Sequence, residues 1–494
     1  MVSVILYLHV HQPYRIGKFS FFDIGTGKSY WNAQKNKEIL DRVVKKSYLP
    51  TTNLLLYLIK DTEGRFKVSF SITGIVLEQL SKYHPEVIDN FRKIVDLGGE
   101  IIDETYYHSL AFLYSKKEFR EQVKLHREIV EDLFGYSPKV FRNTELVYSN
   151  DIAREVERLG YKGILAEGHE KILGWRSPAF IYKSKDGNLK VLLRHYRLSD
   201  DISFRFSLHT WEEYPLTADK FASWVNIHNG NGEVVNLFMD FETFGEHQWH
   251  ETGIFDFLLH LPHEILKHPD NEFLTPYEAI KKYPSRGEID VPFIVSWADT
   301  ERDLTAWLGN SMQQYAAQSV YQLEEYVKKL NDPKILEEWR RLQISDHFYF
   351  MCTKWFADGD VHKYFNPYDT PYEAFINYMN VVEDLKHRIF ELLSYKYVTR
   401  EMGLKFLGDV EVDQEFYSCN GSIFRNLKDL LEGLKKMKKK DFEYHVNSFK
   451  NDFAEWVEKS IGDKFLAQKL RECKDKKTMI RAVSSRIREL KKII

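Results

Sequence analysis

The residues with the most chemical potential sit where apolar runs stop. Val234–Met239 runs directly into Asp240-Phe241-Glu242, followed by Gly245-Glu246-His247. Two acids at i and i+2 share a face if the strand continues. A carboxyl crowded by a second carboxylate and by rings has its pKa raised, which makes a proton donor near neutral pH. Asp240 is therefore expected to be protonated. A metal site built from Asp240, Glu242 and His247 is the rival reading. In Phe141-Arg142-Asn143-Thr144-Glu145-Leu146 an acid stands close to an arginine. Such a carboxylate stays ionised, as a nucleophile must; a purely structural ion pair would look the same.

Three further segments could touch a ligand. In His9-Val10-His11-Gln12-Pro13 both imidazoles would face one side of a strand. They could bind a metal, donate to sugar hydroxyls beside the Gln12 amide, or be satisfied core histidines. Glu100 lies in an apolar run, where a charge must be paired or functional, and Tyr106, Tyr107 and His108 follow it. Ser296-Trp297-Ala298-Asp299, Trp307 and Ser345-Asp346-His347-Phe348-Tyr349-Phe350 place rings beside acids. That combination suits a pyranose, with flat C–H faces and peripheral hydroxyls, although each Trp could equally be core.

Positioning these groups requires strands that end together. Val2–Val10, Lys67–Ser71, Glu100–Asp103, Val140–Arg142, Gly163–Ala166, Leu189–Arg194, Val234–Asp240 and Phe293–Ser296 have strand composition. Helical patterns such as Glu118–Phe134 and Asp151–Leu159 lie between them. Strands alternating with helices imply βαβ units, a parallel sheet and, with seven or eight strands, a closed or nearly closed α/β barrel. Chemistry then belongs at the carboxyl ends of the strands. From about Leu304 the pattern turns helical, with Thr305–Lys329, Pro371–Tyr395, Asn426–Lys440, Asp441–Ile461 and Lys464–Ile494 as candidate helices. The expected organisation is a catalytic barrel over 1–300, a helical region over 301–420 that completes the site, and a helical extension over 421–494.

Composition removes several function classes. The 494 residues carry a net charge of −3, so no global field attracts nucleic acid or an anionic membrane. No window offers the roughly 18 apolar residues of a spanning helix. Three scattered cysteines form neither a CxxC pair nor a disulfide framework, which suits a reducing cytoplasm. The apolar start MVSVILYLHV reads as a buried strand rather than a signal peptide, because it has no basic segment before it and no small-residue cleavage site after it. Aromatic residues make up 15% of the chain, enough to build both a core and a ligand cleft. Abundant Lys and Glu is a composition that recurs in thermophiles.

Five segments, in order, resemble those that mark glycoside hydrolase family 57: His11–Pro13, Gly98–Ile101, Phe141–Leu146, Met239–His247 and Ser345–Phe350. The resemblance covers about residues 1–400. It implies a (β/α)7-type distorted barrel followed by a helical bundle, and activity on α-glucans. Carried over residue by residue, it makes Glu145 the nucleophile and Asp240 the acid/base of a retaining enzyme. His11, Gln12, Glu100, Tyr107, His108, Arg142, Glu242, His247, Trp297, Asp299, Trp307, Asp346 and His347 become substrate-binding candidates. The segments SWADTERDLTAWLGN and SDHFYF look most like the intracellular archaeal-type α-amylase branch. Other branches carry a Trp-rich fifth segment where this chain has Phe348-Tyr349-Phe350, a departure that bears on substrate preference. The implied partner is an α-glucan or maltooligosaccharide, with no cofactor, metal, nucleic acid or membrane. A 4-α-glucanotransferase or branching enzyme, a metal-dependent carbohydrate esterase, an α-mannosidase-like enzyme and a non-catalytic glucan-binding protein are the alternatives.

Overall fold

The computed structural model describes residues 2–354, 366–396, 398–473 and 475–494. The chain forms two compact units, one of residues 1–322 with 337–382 and one of residues 323–336 with 383–494. Among the described residues, ten strands belong to the first: β1 (Val2–Val10), β2 (Ser69–Ile72), β3 (Glu100–Ile101), β4 (Val140–Arg142), β5 (Gly163–Glu167), β6 (Tyr182–Ser184), β7 (Lys190–Arg194), β8 (Val234–Asp240), β9 (Asn271–Phe273) and β10 (Glu288–Ile289).

β1 is the central stave. All nine of its residues are buried, because both of its faces are covered, and its sequence is accordingly apolar almost throughout rather than alternating. It pairs in parallel with β2 on one side and β8 on the other. β2 continues to β3, and a parallel bridge from Asp103 to Phe141 carries the ring to β4. β4, β5 and β7 follow in parallel. The ring closes where the His195 N–H donates to the Asn236 carbonyl at 2.8 Å and the Asn236 side-chain amide donates to the Leu193 carbonyl at 2.8 Å. Seven parallel strands thus form a (β/α)7 barrel. β6 is antiparallel to β7, β9 runs parallel to the start of β1, and β10 runs parallel to β6.

The eighth expected strand, Phe293–Ser296, does not form; Val295 makes only an isolated antiparallel bridge to Tyr148. Phe293 and Ile294 are exposed, so this apolar run never obtains the two covered faces of a barrel strand. The expected helix Thr305–Lys329 is three helices, Thr305–Leu308, Ser311–Tyr321 and Glu324–Leu330. Asn310 interrupts it by capping the second piece, its side chain accepting from the Gln313 N–H.

The second unit is helical around one core that includes Leu427, Phe453, Leu470 and Leu490. Within it Arg486 and Asp463 form a buried pair, Nε to Oδ2 2.6 Å. No helix among the described residues is long and apolar enough to cross a membrane.

Candidate active site

All seven barrel strands deliver polar side chains at their carboxyl ends: His9 and His11 from β1, Thr73 after β2, Glu104 after β3, Arg142 and Glu145 from β4, Glu167 from β5, Arg194 from β7, and Asp240 with Glu242 from β8. Parallel direction makes this automatic, since every strand ends at the same mouth.

Glu145 occupies the first turn after β4 in a left-handed conformation, φ 56°, and Leu146 follows at φ 50°. Strain of this kind persists where the surroundings over-determine it. The carboxylate is held from two sides. His108 Nε2 donates to Oε1 at 2.9 Å and Trp297 Nε1 donates to Oε2 at 2.8 Å. Burial works against the charged form, but the His108 hydrogen bond and charge, Arg142 and the Trp297 N–H outweigh it and hold Glu145 below the usual carboxylate range. His108 has a carboxylate on each ring nitrogen, Glu104 on Nδ1 at 3.3 Å and Glu145 on Nε2. Burial opposes its charge, yet the two acids push it up to about 9. It is an imidazolium at neutral pH.

His108 is flanked by two further imidazoles, His9 stacked on it and His11 tilted against it. The His9 and His108 ring centroids are 4.8 Å apart, and those of His108 and His11 are 4.1 Å apart. His11 accepts or donates to Thr73 Oγ1 at 3.0 Å and meets Asp346 Oδ2 at 2.8 Å. Burial and the neighbouring His108 bring His11 down to about 4, so it is neutral. Glu104, fully buried, lies 3.5 Å from His9, 3.3 Å from His108 and 3.7 Å from Arg142. Burial disfavours its charge, but its contacts with His9, His108 and Arg142 hold it well below the ordinary value.

Asp240 ends β8 with its side chain 42% exposed, and its Oδ1 lies 3.5 Å from His9 Nδ1. Burial would raise its pKa, but His9, His247 and Arg142 lower it. This corrects the expectation of a protonated Asp240 in the free enzyme. The crowding falls on Glu242 instead. The strand stops at Asp240 and a short turn, Phe241–Thr243, buries Glu242 against the Tyr48 hydroxyl and within 3.4 Å of the Gln12 amide. Burial and the Asp240 charge push Glu242 up to about 8. Of two interacting acids, the buried one keeps the proton.

Among the described residues, two sets have metal-ligand donor types, His9–Glu104–His108 and His11–His108–Asp346. In both, the ring nitrogens are already paired with carboxylates or a hydroxyl. Arg142 and the His108 proton supply the positive charge that an ion would bring.

Residues 5–292 match the model of glycosyl hydrolase family 57. The chain belongs to that family. A Methanocaldococcus jannaschii protein, provisionally named an alpha-amylase, is 46% identical over 398 residues, covering 78% of this chain and 84% of the relative. A branching enzyme of Thermococcus kodakaraensis shares the fold with a TM-score of 0.59 at 16% identity, over 80% of this chain and 91% of that one. The 4-alpha-glucanotransferase of Thermococcus litoralis does so with 0.56 at 16% identity, over 86% of this chain and 66% of that one.

Against this family-57 site, the candidates from sequence fall into two groups. His11, Gln12, His108, Glu145, Asp240, Glu242, His247, Trp297 and Asp346 converge at the mouth. Glu100 does not. It begins β3, opposite Ser69 at the start of β2, so it lies at the amino end of the barrel, where its Oε2 accepts the Tyr277 N–H at 2.9 Å. Burial there pushes it up to about 7. Tyr107 is packed in a small cluster with Ile75 and Ile344. Trp307 is only 2% exposed and packs near Tyr349, so it offers no face to a sugar. His347 is buried, with Nε2 3.2 Å from the Arg341 carbonyl. Arg142 is wholly buried and acts through its neighbours rather than on a ligand. Asp299 pairs with Lys354 at 3.0 Å. Sequence reasoning missed Glu104, Tyr48, Glu167 and Arg194 as site-builders. For Glu104 the signal was available: three polar residues, Asp103-Glu104-Thr105, follow the apolar pair Ile101-Ile102 at the end of a strand.

Proposed function

We propose that the protein is a retaining α-amylase that cleaves α-1,4-glucosidic bonds, with Glu145 as nucleophile and Asp240 as acid/base. The observation that carries this reading is the Glu145 carboxylate, held ionised and aimed by the His108 and Trp297 N–H donors at the barrel mouth. Glu145 attacks the anomeric carbon as the glycosidic C–O bond breaks, and the Asp240 proton goes to the leaving oxygen. The covalent glycosyl-enzyme is then opened by water, whose proton returns to Asp240. Asp240 is ionised while it faces solvent. A bound glucan covers it, removes water and favours the protonated form, so substrate binding takes up a proton. Glu242, neutral and adjacent, adds no second charge against the leaving oxygen.

A sugar hydroxyl in place of water would give transfer, the reaction named for the two solved relatives above. Products from maltooligosaccharides decide between these acceptors. Free cysteines throughout favour a reducing compartment such as the cytoplasm.

Glu145→Gln should lower kcat by at least about 10³-fold with an unchanged circular dichroism spectrum, because the isosteric amide cannot form the ester. Asp240→Asn should lose activity on natural glucan but keep rapid intermediate formation on an aryl glycoside whose leaving group needs no proton. A Glu145→Gln protein with normal turnover would end the assignment.

A further inference from the structure

Trp297 reaches Glu145 twice, through its indole N–H and through its backbone N–H, which donates to the Glu145 carbonyl at 3.3 Å. What holds Trp297 is a closed loop. The Val295–Tyr148 bridge fixes its entry. On the return, the Ser296 N–H donates to the Arg302 carbonyl at 3.2 Å and the Ser296 hydroxyl donates to the Asp303 carbonyl at 2.6 Å. The Arg302 guanidinium donates to the Trp297 carbonyl.

Arg302 is itself locked. It lies 3.3 Å from Glu167 and 3.1 Å from Asp200, the same two acids that Arg194 meets at 3.2 and 2.5 Å. Two cations and two anions alternate around a ring with little solvent access. The indole of Trp297 also has guanidiniums near its ring, Arg142 at 5.0 Å and Arg194 at 5.8 Å from the centroid. Positive charge on the aromatic face makes the N–H a stronger donor to a carboxylate.

The backbone carries strain in the same place. Among the described residues, eight non-glycine positions have left-handed φ, and five of them are His108, Glu145, Leu146, Asp299 and Arg302. A buried ion network contributes little stability over apolar packing, and each left-handed residue carries a backbone cost. Both costs converge on one side chain, the Glu145 carboxylate.

We propose that Arg302 is a positioning residue for Glu145, acting through Trp297, with Glu167 and Asp200 as its anchors. The proposal rests on the nucleophile reading above. Arg302 touches no reacting atom; it fixes the direction of the indole N–H, and that donor fixes the orientation and ionisation of the carboxylate.

The test is a double-mutant cycle with Trp297→Phe and Arg302→Met on maltooligosaccharides, read by kcat, KM and the acid limb of kcat/KM. A hydrogen bond to a charged group corresponds to about 10–100-fold. Trp297→Phe should lower kcat by that factor and move the acid limb upward, since Glu145 loses a donor. Arg302→Met should do the same in kcat and pH limb, with little further loss in the double variant. Arg302→Lys should recover part of the loss. Glu167→Gln, which keeps shape but loosens the anchor, should reproduce a smaller version and serves if Arg302→Met does not fold. Wild-type kcat and acid limb in Arg302→Met, with only a lower Tm, would overturn the proposal, as would fully multiplicative losses in the double variant. An active Glu145→Gln protein is a separate outcome that overturns the nucleophile itself. A fully active Arg302→Met protein whose Glu145 still forms the covalent intermediate overturns the clamp alone.

Discussion

His108 makes the site pH-sensitive in a definite direction. Its pKa rises from 6.5 to about 9 in the folded protein because it sits between Glu104 and Glu145. A raised imidazole contributes stability that is fully present below 6.5 and lost as the pH climbs through about 9. Glu242, raised from 4.5 to about 8, favours the fold while it holds its proton; its contribution fades as the pH passes from 4.5 through 8. Both trends have the same sign, so the thermal midpoint should fall between pH 6.5 and 9, and kcat, read in the complex where Asp240 is covered and protonated, should descend near pH 9 as Glu145 loses its cation. A flat profile to pH 10 would rule out the imidazolium. In Glu242→Gln the part of the stability change between pH 4.5 and 8 should shrink. The sequence reading named both acids and expected the proton on Asp240, whereas the surroundings lower Asp240 and raise Glu242. Asp240 and Glu242 are two positions apart, and the local turn, invisible in the residue types, buries one and leaves the other toward solvent.

Where strands end was largely legible, because continuous apolar runs such as Val2–Val10 and Val234–Met239 mark staves covered on both faces. Strand beginnings were not separated from strand ends, which is how Glu100, at the start of a stave, entered the candidate site. Phe293–Ser296 has strand composition but no second covered face. Arg302 was illegible for a different reason: its partners Glu167 and Asp200 lie more than 100 positions away. The segment after β8 shows how an element positions chemistry. Gly245 has φ 106°, and a Cβ there would stand 2.0 Å from the Lys46 carbonyl oxygen. Phe241 and Phe244 accept from Ser47 and Thr51 through their carbonyls, so the turn bearing Glu242 is pressed on the segment 44–61. Gly245→Ala should push the turn away, costing more than about 1 kcal/mol from backbone conformation alone, with kcat reduced more than KM is raised. Wild-type kcat and Tm in this variant would show that the close approach is dispensable.

The site belongs to one unit of the molecule, and that unit is not contiguous in sequence. Asp346, from the short helix Ser345–Tyr349, meets His11 at the end of the first strand, although more than 300 residues separate them. The same stretch is anchored by Arg340, whose guanidinium pairs with the buried Glu118 at 2.7 Å, and by Gln343, which accepts from Gln122 at 2.9 Å. A chain ending near residue 300 would therefore lose Asp346, leave Glu118 buried without Arg340 and uncover Ile75 and Tyr107, which cluster with Ile344. Such a chain should be inactive and aggregation-prone. The second unit has its own core and, among the described residues, none of the convergent polar groups. Leu470 is fully buried there. Leu470→Ala should cost about 2–5 kcal/mol of that unit's stability, visible as an earlier calorimetric transition, while kcat measured below the transition stays within about twofold because every site residue named above lies in the first unit. A large loss of kcat at a temperature where Leu470→Ala is still folded would mean that the second unit shapes the site, and the division of labour between the two units would have to be abandoned.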